Sequence, residues 1–214
     1  MFLKNQKLMQ ITRDKISIIF EVFLFLIFLG LFTLIPLNQF LIQGSTIFLF
    51  LLTIVLSRKR RYSLKELGMT KPTKLAILGW IYCTLGLLLV IVFLKVAYQD
   101  GVFNGVSKNR SAFLYLIPFY IFVGTFMQEF IFRGYVFART NGLFSIGISI
   151  LLNILLFSMF HIPYMVQFHS NLLYLSMVAG VCWSVVYFKH PNLYLAWLSH
   201  AIVGSLNLIL LQRF

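Results

Sequence analysis

The sequence predicts an all-α fold, a polytopic transmembrane helical bundle of about seven to eight spans, on three observations. Of 214 residues, 60% are hydrophobic and 11% charged, against roughly 25% charged in an average soluble domain. Apolar runs long enough to cross a hydrocarbon core follow one another closely and lack the polar face that a soluble helix needs. Five acidic residues, Asp14, Glu21, Glu66, Asp100 and Glu129, stand against 18 Lys and Arg, a formal charge of +13. The cations sit at the ends of the apolar runs, where they meet lipid headgroups and fix orientation, so no nucleic-acid partner is expected.

The first run, 16–37, follows a basic stretch with Lys4, Lys7, Arg13 and Lys15. It is too long for a signal peptide and no small-residue cleavage site follows, so an uncleaved first helix is expected. Further runs cover 40–56, 75–97, 113–138, 144–160, 172–188 and 192–211. With the N-terminus inside, alternating loops place 14 Lys and Arg on the inner side, and Lys95, Lys108, Arg110 and Arg213 on the outer. That asymmetry predicts a cytoplasmic N-terminus in the cell membrane. The basic stretch from Ser57 to Gly68 reads as a topology-setting loop, with an anionic-lipid patch as the alternative. Residues 1–61 therefore form a first unit of two helices and the first part of that loop. Cys83 and Cys182 lie within apolar runs, where a thiol acts as a small hydrophobe, and neither a disulfide nor a metal cluster is expected.

Ionisable groups that cannot escape to the membrane interface are candidate functional residues. Three places qualify. In Met127-Gln128-Glu129-Phe130-Ile131-Phe132-Arg133-Gly134, Glu129 and Arg133 share a helical face and pair in the favourable order, while Gln128 lies about 100° away. His161 ends the fifth run, in Phe157-Ser158-Met159-Phe160-His161. Ser199-His200 lies deep in the last run, with Asn207 two turns on. His169 and His190 read as loop or interface residues.

The order and spacing of these groups resemble the CPBP intramembrane proteases, the CAAX-protease and bacteriocin-processing family that includes proteins similar to lysostaphin resistance protein A. That family shows Glu-Glu-x-x-x-Arg, then Phe-x-x-x-His, then His-x-x-x-Asn or Asp, on successive membrane helices. Glu129 and Arg133 fill the second Glu and the Arg, and Phe157 and His161 fill the second motif. The resemblance extends over 62–207, from Tyr62-Ser-Leu-Lys-Glu-Leu-Gly68 through Gly180 to His200, and implies a protease core over 62–214 in a multi-pass bacterial membrane protein. It also implies that the leading Glu and the motif His activate a water to attack a scissile peptide carbonyl, and that the last His and Asn stabilise the oxyanion. The substrate would be a membrane-bound or lipid-associated peptide or protein.

Two positions depart from the pattern: Gln128 replaces the leading Glu, and Gly204 replaces the last Asn or Asp. A Gln can hold the water but cannot accept its proton, and general-base assistance is worth about 10²- to 10⁴-fold in rate. Asn207 is no simple substitute, because seven residues carry it roughly 10 Å along the axis from His200. Three readings of Gln128 stay open. Glu129 takes over as base at the cost of unpairing Arg133; or the chain is a non-catalytic scaffold or bacteriocin-immunity-type relative; or it is a Glu-to-Gln inactivated variant. No cofactor is expected, although Glu129, His161 and His200 are the ligand types of a catalytic zinc site, with Arg133 nearby opposing a cation. One depth conflict remains: counting from the turn near Asn141 leaves His161 roughly 10 Å out of level with Glu129 unless the fifth helix starts near Gly147 or residues 140–146 are irregular.

Overall fold

The structure is a computed structural model that describes residues 15–25, 27–28, 39–97, 118–163 and 172–211. These residues form seven helices and no strand. We number them α1 (15–28), α2 (Gln39–Lys59), α3 (Lys74–Ala97), α4 (118–141), α5 (Ile146–Met159), α6 (Leu172–Lys189) and α7 (Leu193–Leu211). His169, the expected outer-side cations Lys108, Arg110 and Arg213, and the side chain of Lys95 lie outside the described residues.

Helix α4 holds the centre, packed on α2, α5 and α7, while α3 lies across α6 and α7 and α5 lies along α6. Alongside an apolar core, many polar side chains are enclosed and many large apolar ones face outward. Thr53, Thr125, Glu129, Arg133, Thr140, Ser149, Asn153 and Ser184 are fully enclosed, whereas Phe20, Leu51, Tyr82, Leu89, Phe93, Phe122 and Tyr174 are more than half exposed. Soluble proteins rarely leave so many large apolar side chains this exposed. By length and composition, one helix among the described residues, Lys74–Leu94 within α3, is long and apolar enough to cross a membrane; Ile146–Met159 and Leu173–Lys189 are apolar but shorter.

The helix ends follow local chemistry. Thr73 Oγ1 accepts from the Ala76 amide at the start of α3, and Asn192 Oδ1 from the Leu195 amide at the start of α7. Between α2 and α3 the basic loop makes one capped turn. Ser63 and Glu66 exchange hydrogen bonds in a capping box, and the Ser63 hydroxyl and amide hold the Glu66 carboxyl below its usual range. Gly68, at φ 74°, closes the turn with the Met69 amide donating to Leu64 O and the Gly68 amide to Lys65 O. A Cβ at Gly68 would overlap Tyr187 Oη, because this turn docks on the junction of α6 and α7. The Leu193 amide donates to Gly68 O (2.8 Å) and Asn192 Nδ2 to Thr70 O (2.7 Å).

At the same end as this loop, Glu21 of α1 gathers Arg60, Ser17 and the Tyr135 hydroxyl, with Arg139 Nε 3.7 Å away. Charge alternation expects Arg60 and Arg139 on the same, inner side, and the structure brings both to Glu21. The sequence reading named Glu21 without giving it a partner.

Helix α4 departs from the regular helix expected over 113–138. Tyr120–Gly124 and Phe130–Phe137 are wound as π-helix, separated by one α turn, Thr125–Glu129. A π turn bonds i to i+5 and leaves carbonyls open to outside donors. Both π segments meet such donors: Trp197 Nε1 binds Ile121 O (2.7 Å), and Asn153 Nδ2 binds Phe132 O. Residues 142–145 are non-helical and α5 starts at Ile146, which removes the depth conflict between Glu129 and His161.

Candidate active site

Glu129 closes the α turn of α4 and Arg133 lies one turn on, in the second π segment, and both are wholly buried. Arg133 Nη1 donates to Glu129 Oε1 (3.1 Å), so the pairing expected from the i, i+4 spacing holds through the change of winding. The same oxygen accepts from His200 Nδ1 at 2.7 Å. One carboxylate oxygen therefore joins the first and last motifs, 71 residues apart. Glu129 Oε2 and Gln128 Oε1 are buried without a hydrogen-bond partner among the described residues.

Phe157 is the hub between the motifs. The Arg133 guanidinium lies over its ring, 4.1 Å from the centroid, in cation–π geometry. The His161 ring is 4.7 Å away and the His200 ring 5.7 Å, and Trp183 and Phe132 meet its edge. His161 Nδ1 lies 2.8 Å from Phe157 O. A carbonyl only accepts, so Nδ1 carries a proton and, in the neutral ring, Nε2 is the basic nitrogen.

His200 is held on three sides: by Glu129, by the Trp183 ring at 4.6 Å, and by the Tyr120 ring edge at 6.2 Å. Trp183 is fixed by donating Nε1–H to Ser199 Oγ (2.9 Å), which also accepts from Thr84 Oγ1 (2.7 Å). Ser199 thus serves the site by orienting the tryptophan, linking α3, α6 and α7. The structure brings together Glu129, Arg133, His161 and His200 around Phe157, with Gln128 buried on the next position of α4. Asn207 is buried further along α7 with Oδ1 unpartnered among the described residues. His190 follows α6, and its carbonyl accepts from Trp80 Nε1 (3.3 Å).

Sequence reasoning missed Trp183, Thr84, and Asn153, whose Oδ1 accepts from Ser184 (3.0 Å) while Nδ2 binds Phe132 O. A lone Asn inside an apolar run was a signal that could have found the last.

Among the described residues no three His, Cys, Asp or Glu side chains are placed to hold a metal ion together. Glu129 Oε1 is taken by Arg133 and His200, and the adjacent guanidinium opposes a cation. Cys83 and Cys182 are partly buried free thiols.

Residues 110–206 match the model of the type II CAAX prenyl endopeptidase Rce1-like family. This agrees with the resemblance carried by the motifs, and the matched stretch includes Gln128, Glu129, Arg133, His161 and His200. It begins beyond the turn at 63–68, which the motif resemblance had included. No curated protein and no solved structure matches the chain.

Proposed function

We propose that the chain is an intramembrane endopeptidase that cleaves a membrane-bound or lipid-associated peptide, with the prenylated C-terminal segments named by the matched family as the first substrates to test. The observation that carries the reading is the Glu129 carboxylate, wholly buried and shared by Arg133 and His200 beside the ring that supports His161. Buried charge of this kind is costly, and a structural pair alone gives no reason for two histidines from different helices. The apolar exterior with its polar interior supports a multi-span placement in the lipid bilayer.

In this mechanism Glu129 anchors, its Oε1 holding Arg133 and His200 together. Gln128 Oε1 accepts a hydrogen bond from the water. His161 Nε2 takes the water proton as oxygen attacks the scissile carbonyl carbon, and returns it to the leaving amine as the C–N bond breaks. His200, as the imidazolium held by Glu129, donates Nε2–H to the oxyanion. Glu129, Arg133 and this imidazolium together carry one net positive charge, which the developing oxyanion neutralises. No metal enters any step.

The test is peptide cleavage in liposomes, with farnesylated and unprenylated substrates. Gln128→Glu is expected to raise the rate by about 10²- to 10⁴-fold, and His161→Ala to abolish it. Gln128 itself favours a second reading, a non-catalytic peptide-binding relative using the same residues. Absence of cleavage by both the parent and Gln128→Glu, with peptide binding that survives His161→Ala, would replace the first reading by the second.

A further inference from the structure

Gly204 stands one helical turn after His200, where the motif resemblance calls for Asn or Asp, and the structure fills the space of that missing side chain from another helix. A Cβ at Gly204 would overlap Tyr120 Oη and lie 2.8 and 2.9 Å from Cζ and Cε1 of the same ring. No residue larger than glycine fits at 204 while Tyr120 holds its place. The ring also lies edge-on to His200, at 80° and 6.2 Å. Trp197, His200 and Gly204 share one face of α7 by their spacing of three and four. The backbone beside Tyr120 is bound to that face, because Ile121 O accepts from Trp197 Nε1 (2.7 Å) as well as from Thr125 Oγ1 (2.8 Å).

We propose that Tyr120 is a catalytic residue whose hydroxyl donates the second hydrogen bond to the oxyanion, alongside His200, and that Gly204 is the opening in α7 that admits it. This rests on the endopeptidase reading of the site. A phenol O–H is a competent donor on a rigid ring, and its placement costs α7 only a methyl group. The π winding that begins at Tyr120 sets the angle at which the ring leaves α4.

The experiment uses the full chain in liposomes, in whichever of the parent and Gln128→Glu forms cleaves faster. Tyr120→Phe keeps the ring and removes the donor. It is expected to lower kcat by about 10²- to 10³-fold with KM little changed, the effect of losing one oxyanion donor. Gly204→Asn alone is expected to disturb folding through its clash with the ring. Tyr120→Ala with Gly204→Asn removes the ring, supplies an amide from α7, and is expected to exceed Tyr120→Ala in kcat by at least about tenfold. Thermal unfolding of each variant separates lost folding from lost catalysis. An unchanged kcat in folded Tyr120→Phe, or a double variant no better than folded Tyr120→Ala, overturns the assignment while leaving the protease reading intact. No cleavage by either parent form overturns the protease reading and this assignment with it.

Discussion

Glu129 is wholly buried and accepts from both Arg133 and His200 through one oxygen, so its neighbours decide its cost. Arg133→Met is expected to destabilise by about 3–5 kcal/mol, the usual penalty for leaving a buried charge unpaired. Adding Glu129→Gln should recover much of that, and the two changes should couple strongly in a double-mutant cycle of unfolding in detergent. Additive losses would show that Arg133 acts mainly through its contact with Phe157. At this scale the sequence was informative: Gln128, Glu129, Arg133, His161 and His200 were each visible as polar residues with no business in lipid. What it hid was which oxygen serves whom. Spacing puts Glu129 beside Arg133, but nothing in a linear chain tells that His200 claims the same atom, or that Phe157 carries the guanidinium on its face.

The helices were legible as apolar runs, and the start of α5 at Ile146 is the outcome that resolves the depth conflict. The π segments of α4 were not legible, because winding depends on donors that arrive from other helices, Trp197 and Asn153, and leaves no mark on local composition. The contact of α5 with α6 is set by a small residue: a Cβ at Gly180 would lie 3.4 Å from Phe157 Cδ1 and 3.7 Å from Ile154 Cα. Gly180→Ala should therefore be tolerated. Gly180→Leu should cost about 1–3 kcal/mol by overpacking, and should reduce cleavage further by displacing the ring under His161 and Arg133. Thermal unfolding and cleavage measured on the same preparations check both; a tolerated Leu would show that the ring has room to move.

For the whole molecule, Glu21, Arg60, Tyr135 and Arg139 gather at one end, and charge alternation expects Arg60 and Arg139 on the inner side. Lys65→Cys, in the exposed turn beside that end, should escape a membrane-impermeant maleimide in intact cells and react in inverted vesicles. Labelling in intact cells would reverse the assigned orientation. The two ends of α4 serve different tasks: its middle carries Glu129 and Arg133, and its end carries Tyr135 and Arg139 toward Glu21. The second π segment lies across the boundary, and each of its rings encloses one residue more than an α turn. Were this segment wound as α with every residue kept, everything beyond it would turn by on the order of 100°, and Tyr135 and Arg139 would leave Glu21 while Glu129 stayed with His200. Deleting Val136 instead removes the extra residue and is expected to let the helix run as α with both contacts kept. The π winding acts as a phase adjuster, by which the end that meets Glu21 and the turn that carries Glu129 are aimed independently.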